Sequence, residues 1–384
     1  GKWQGFKPFH IYVAKDTIDP YISYRLIQPS YIAYDDISIA QRDITGYEES
    51  DIYNNQLALT DGKGQCINCH SYQNYGTENM LFHTRQFEDG TMLLYKGELK
   101  KINLKTDSTI SAGVYPAWHP NADLVAFSTN TTRQIFHTKD NAKVEVFDKE
   151  SDLILYDVAK NEVTSICKTN DDLECFPTWS ADGKTLYYTS AHYNYVDSIE
   201  KGTTTNDNID KVKYNIYSRS FDLATHQFGE PQLVFDAVAL GKSATLPRVS
   251  PDGRYLTFSL GCYGCFHVWH KDADICVIDL LKRDADGKYA VVSTQALNSP
   301  ESESYPSFSS NGRWIMCASR RDDGNYSRVY FAYFDGKKAH KAFLLPQSDP
   351  EHNWLRLLSY NRPEYMVEPV SISLDEFANI VRKE

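Results

Sequence analysis

Apolar residues along this chain fall into short runs, each set behind the same kind of polar turn. Leu124–Phe127 follows Tyr115-Pro116-Ala117-Trp118-His119-Pro120-Asn121-Ala122, and Leu186–Tyr188 follows Phe176-Pro177-Thr178-Trp179-Ser180-Ala181-Asp182-Gly183. Tyr255–Phe258 follows Leu246-Pro247-Arg248-Val249-Ser250-Pro251-Asp252-Gly253, and Trp314–Met316 follows Tyr305-Pro306-Ser307-Phe308-Ser309-Ser310-Asn311-Gly312. A weaker copy runs from Phe82 to Gly90 ahead of Met92–Tyr95. The physical reading is a strand, a tight reversal at Asp-Gly or Asn-Gly, and a returning strand of β-branched and aromatic residues. Most copies then add a third strand ending in an acid, as in Leu153–Asp157, Ile216–Asp222, Ile275–Asp279 and Val329–Asp335, and room for a fourth. Four antiparallel strands repeated every 60 to 70 residues or so predict an all-β protein of propeller blades stacked around a channel.

These copies resemble the PD40 (WD40-like) repeats of TolB-like β-propellers, whose hallmark is P-x-W-S-P-D-G. The likeness covers about residues 80–346. It implies a TolB-like β-propeller in which five blades are legible; such propellers usually close with six, and the two chain ends could assemble a sixth. The division expected is an N-terminal arm (1–79), mostly irregular, a propeller (80–346), and a C-terminal extension (347–384) packed on it. Within the arm, Ile22–Ile32 reads as extended and Tyr47–Leu57 as a short helix. Around Asn361-Arg362-Pro363-Glu364 the chain reads as irregular. Ser373 with Asp375 and Glu376 behind it predicts the N-cap of a short final helix reaching Lys383. The polar stretch Asp197–Asp210 reads as a long loop on one rim.

One pentapeptide carries chemistry. Cys66-Ile67-Asn68-Cys69-His70 is C-x-x-C-H, the attachment signature of a c-type haem. Cys66 and Cys69 would anchor the porphyrin through thioethers, and His70 would be the proximal iron ligand. Without haem, the same residues make a small disulfide or redox dithiol beside an incidental histidine. The repeats begin so soon after the motif that no standard cytochrome domain fits, so the haem would lie between the arm and the propeller. His83 is the candidate distal ligand and Met80 the alternative, with Met92, His119 and His10 further off. Haem c is expected only in material made where haem-ligation machinery operates; elsewhere the thiols would stay free or pair.

A second pair, Cys262 and Cys265, is off register for haem because His267 falls one residue late. With His267 and His270 it could make a compact zinc site, against the simpler reading of a disulfide or buried thiols. Cys167, Cys175, Cys276 and Cys317 sit in apolar strand contexts and read as core. Asp171-Asp172 and Asp322-Asp323 lack EF-hand spacing. No nucleophile elbow, Walker loop or dinucleotide fingerprint occurs, so an enzyme is not favoured.

Composition narrows the partners. A formal net charge of −11 opposes nucleic acid. The 27 tyrosines suit pleated surfaces, and also protein or glycan recognition. No apolar run is long enough to span a membrane, and covalent haem argues for export to the periplasm or the outer-membrane surface, with a possible lipid anchor upstream. Two functions are therefore expected. One is an exported monohaem c-type cytochrome-like protein in electron transfer or redox sensing, with a redox partner protein. The other is a haem-free envelope propeller that binds protein or glycan.

Overall fold

The computed structural model describes residues 1–8, 10–30, 34–57, 64–137, 142–193 and 209–383. Strands β1 (Tyr21–Ile27), β2 (Ser38–Asp43) and β3 (Glu49–Asn54) form a first antiparallel sheet. A second is the meander β4 (Cys66–Gln73), β5 (Gly76–Arg85), β6 (Gly90–Tyr95) and β7 (Glu98–Ile102). Next come β8 (Val114–Trp118), β9 (Leu124–Phe136), β10 (Val144–Asp157) and β11 (Glu162–Cys167). They are followed by β12 (Asp172–Trp179), β13 (Thr185–His192) and β14 (Asn215–Asp222), the last flanked by β15 (Gln227–Phe228) and β16 (Gln232–Phe235).

One parallel pairing, Ser151 with Leu173, fuses these last two meanders into a nine-stranded sheet. Then follow β17 (Ser243–Val249), β18 (Tyr255–Gly261), β19 (Asp274–Arg283) and β20 (Tyr289–Val292). β21 (Glu303–Phe308), β22 (Trp314–Ser319), β23 (Arg328–Tyr333) and β24 (Phe343–Leu344) make another sheet. After helix α1 (His352–Leu355), β25 (Ser359–Met366) returns to pair with β1, so the first sheet reads β25-β1-β2-β3.

The all-β propeller arrangement agrees with the sequence. The sheets do not divide as expected, because four separate four-stranded sheets stand beside one fused sheet of nine strands. Two local expectations are corrected. Tyr47–Leu57 is not a helix but β3 and a single 3-10 turn, Asn55–Leu57. The segment around Arg362 is not irregular but the strand that closes the ring against β1. The N-terminal portion is more ordered than expected, since Tyr21–Ile27, Ser38–Asp43, Glu49–Asn54 and Cys66–Gln73 are strands, and the division at residue 80 falls inside β5. The Asp197–Asp210 loop lies almost wholly outside the described residues.

Six strands carry the same backbone irregularity. In β4, β8, β12, β17, β21 and β25 two residues oppose one on the neighbouring strand, a β-bulge. The first residue of each bulge is left-handed: Cys69, Tyr115, Phe176, Leu246, Tyr305 and Arg362, all with φ between 48° and 59°. Such a φ is strained for a residue with a Cβ. Proline follows in five of the six, and His70 follows in β4. The bulged strands meet around a narrow central cavity walled by Tyr115, Phe176, Leu246, Tyr305 and Arg362.

Apolar side chains fill the spaces between neighbouring sheets, which is how repeats too thin to fold alone acquire a core. The largest such cluster joins Ile27, Ile39, Tyr53, Ile67, Phe82 and Trp269 to the final helix. That helix, α2 (Leu374–Val381), begins at Ser373 as expected. The Ser373 hydroxyl accepts from the Glu376 amide, and the Glu376 carboxylate accepts from the Ser373 amide, a complete capping box. It ends at Val381, two residues short of Lys383. Ser373→Ala is expected to lower stability by about 1 kcal/mol in denaturant unfolding. Among the described residues no helix is long and apolar enough to cross a membrane.

Candidate functional site at the channel mouth

β9 and β10 are far longer than their counterparts in the other sheets, at 13 and 14 residues. Their outer halves form a hairpin whose side chains pack against residues of other sheets and line a cavity at one end of the channel. Alternation in Val144-Glu145-Val146 gives it two faces. Val144 and Val146 are buried with Ile27, Ile67 and Trp269. Glu145 points the other way, and its Oε2 accepts from His270 Nε2 at 2.8 Å and Tyr263 Oη at 3.3 Å. The hairpin is thus pinned to the loop that follows β18 and roofs the channel mouth. The sequence signalled only its inner ends, Leu124–Phe127 and Leu153–Asp157.

Beneath the roof is a chamber of about 1060 Å³, counting its opening to solvent. Asn130, Thr132, Gln134 and Val146 line it from the hairpin, Phe266 from the neighbouring loop, and Cys66, Asn68, Cys69 and His70 from β4. In a regular strand Cys66 and Cys69, three residues apart, would point to opposite faces. The left-handed Cys69 inserts one extra residue, and both cysteines reach the same chamber. Both are free thiols, each only 8% exposed. Burial pushes the Cys66 thiol above its ordinary pKa, against the pull of Arg25 and Arg85.

His70 is fully buried, and neither ring nitrogen meets a partner in hydrogen-bond geometry. The Ser23 backbone lies near enough to oppose the pKa shift slightly without completing a bond. Burial foremost, then Arg362, Arg25 and Arg248, hold the ring well below the ordinary histidine pKa, so it is neutral. A buried, unpartnered imidazole is an unfavourable arrangement that a ligand would relieve. Its position explains why the repeat was illegible here. The motif does not precede the first repeat as the sequence suggested; it is the bulge of one, with His70 where the other bulges carry proline. The weak copy from Phe82 to Gly90 is the following β5–β6 hairpin.

The distal candidates lie elsewhere. His83 is buried in the adjoining cleft, with Nδ1 2.8 Å from Thr91 Oγ1 and its ring beside Phe127. Met80 and Met92 are packed in the core. His119 meets the Gly183 carbonyl at 3.0 Å, and His10 is exposed in the N-terminal segment. The four-ligand zinc set is not assembled either. Cys262 is exposed beside Lys242, His267 faces Ser259 and Gly264, and His270 is held by Glu145. Cys262 and Cys265 are not bonded to each other.

Charge inside the chamber reverses that of the whole molecule. Arg25, Arg85 and Arg362 all line it in a chain of net charge −11. Arg25 Nη1 donates to the Ile67 carbonyl at 3.2 Å, which orients it over β4. Asn361, 2% exposed, has both side-chain polar atoms unpartnered at the chamber wall. Positive charge in a low-dielectric cleft concentrates anions. Sequence inspection missed these residues because they come from β1, β5 and β25, with no spacing to link them.

The donor set suits a haem c in kind: two thiols and one unpartnered imidazole lining one cavity, and arginines able to meet carboxylates. No family model matches the sequence, and no curated protein matches it. Solved structures do resemble the fold. TolB from Acinetobacter baumannii superposes with a TM-score of 0.52 at 14% identity, over 90% of this chain and 66% of that one. A hypothetical selenium-binding protein from Sulfolobus tokodaii gives 0.51 at 7% identity, over 94% and 96%. This chain therefore spans just under two thirds of the TolB structure. What it shares with these structures is the β-propeller fold.

Proposed function

We propose that this is an exported haem c protein in which a TolB-like propeller, read as six-bladed from its six bulged inner strands, holds the cofactor at its channel mouth. The observation that supports this most is the convergence of Cys66 and Cys69 on one chamber beside an unpartnered His70. Cys66 and Cys69 would anchor haem c, His70 would turn its ring toward the iron, and Arg25, Arg85 and Arg362 would meet its carboxylates. Haem, when bound, supplies a one-electron couple. The roof hairpin excludes bulk water from one side, and burial of this kind tunes potential.

Redox sensing is favoured over simple electron transfer. Among the described chamber residues there is no methionine and no second histidine, whereas electron-transfer haems are typically held from both sides. Reduced and oxidised visible spectra of protein exported by a host with haem-ligation machinery test the reading. A sharp reduced band is expected; protein that stays colourless with Cys66 and Cys69 free or paired would overturn it.

The second reading, a haem-free envelope scaffold for a protein or glycan, draws on Trp354, Leu355 and Leu357, exposed together at 76%, 70% and 65%. Exposed apolar clusters of this kind mark partner sites. If partner capture in the envelope survives loss of both Cys66 and Cys69, that reading gains.

A further inference from the structure

Away from the C-x-x-C-H strand, three buried side chains from three different elements converge. Asp148 lies on β10, Cys175 on β12 next to its bulge, and Cys265 in the loop after β18. One carboxylate oxygen and the two sulfurs lie within 4.8 Å of one another, the one such grouping among the described residues. Their exposures are 3%, 0% and 4%.

The cluster is built rather than incidental. Asp148 Oδ1 accepts from Asn130 Nδ2 at 2.9 Å and Thr132 Oγ1 at 2.7 Å. Cys175 Sγ is 3.4 Å from Thr189 Oγ1. The Cys265 carbonyl accepts from Thr245 Oγ1 at 2.7 Å, and the preceding Gly264 carbonyl accepts from Ser243 Oγ at 2.6 Å, which fixes the loop. Around the sulfurs are Phe147, Phe176, Val212 and Leu246. Asp148 is thus held in place by two polar donors, and its carboxylate and the two sulfurs offer three ligand atoms to one point.

We propose that Asp148, Cys175 and Cys265 bind a divalent cation of the zinc class. Two sulfurs and one oxygen at these separations suit a tetrahedral ion with one position left for water or a further ligand. Binding releases the two thiol protons to solvent, so affinity rises with pH. The consequence is mechanical: the ion ties the roof hairpin, through Asp148, to β12 and to the loop after β18, and so closes the chamber from behind. The assignment is independent of haem.

The test uses the full chain with both Cys66 and Cys69 replaced by Ser, reduced, freed of metal with chelator and titrated with Co²⁺ as a probe for zinc. Sulfur-to-metal charge-transfer absorption saturating at one Co²⁺ per chain is expected, displaced by Zn²⁺ and accompanied by a rise of several degrees in thermal midpoint. Asn130→Ala removes a donor to Asp148 but no ligand, and should weaken binding roughly 10-fold or more. Absence of that absorption would overturn the proposal. So would a Cys175–Cys265 disulfide in protein taken from the exported fraction, shown by thiol counting after denaturation.

Discussion

Replacing both Cys66 and Cys69 with Ser is expected to remove all covalent haem from the exported protein while leaving it folded. Both thiols are near-isosteric with Ser and sit on a chamber wall rather than in the packed interior, so the stability loss should stay within about 1–2 kcal/mol. His70→Ala separates the other role: haem stays attached through the thioethers, but its spectrum and potential change with the loss of the proximal imidazole. His70→Met should retain ligation and raise the potential. Covalent haem persisting in the double Ser variant would remove the thiols from the account. An unchanged spectrum in His70→Ala would do the same for the imidazole.

Acid should destabilise the protein well before carboxylates are neutralised, because several imidazoles are buried neutral. His267 is the clearest. Its Nε2 lies 3.1 Å from the Gly264 carbonyl, an acceptor only, so the proton sits on Nε2 while Nδ1 faces Ser259 Oγ at 3.2 Å. Burial, then His270, brings its pKa down to about 3. A histidine in the unfolded chain titrates near 6.5, so below that pH the unfolded chain binds the extra proton. The stabilisation is fully present above about pH 6.5 and is lost as pH falls toward 3. By pH 5 this group alone removes about 2 kcal/mol. His70 and His83, both held well below the ordinary value chiefly by burial, act in the same direction. Denaturant unfolding of His267→Gln should show a flatter decline between pH 6.5 and 5, by about 2 kcal/mol. A decline as steep as in the parent would mean that His267 takes up its proton in the folded state.

Much of the architecture was legible because β-turn chemistry is local. Pro-x-x-Ser-x-Asp-Gly at 247–253 and its relatives declare a strand and a tight reversal wherever they occur, though not the bulge each strand carries. The same logic failed in two strands. In β4 a histidine replaces the proline, so the haem motif hid a repeat. In β25 the proline is present, but the strand closes the ring against β1 and no returning strand follows it in sequence. The final helix was legible to within two residues from Ser373 and Glu376, a purely local device. The chamber was legible only at Cys66, Cys69 and His70. Its arginines, its hairpin roof and the Asp148, Cys175 and Cys265 cluster arise from contacts between sheets far apart in sequence, which no spacing encodes. Cys175, expected to be simple core, is buried as expected but faces another thiol.

The most direct test of haem attachment at the channel mouth is the mass of tryptic peptide 64–85 from protein exported alongside haem-ligation machinery. The peptide should carry one haem, joined to Cys66 and Cys69 and lost in the double Ser variant. A peptide at its unmodified mass, or with the two cysteines merely joined to each other, would contradict the assignment.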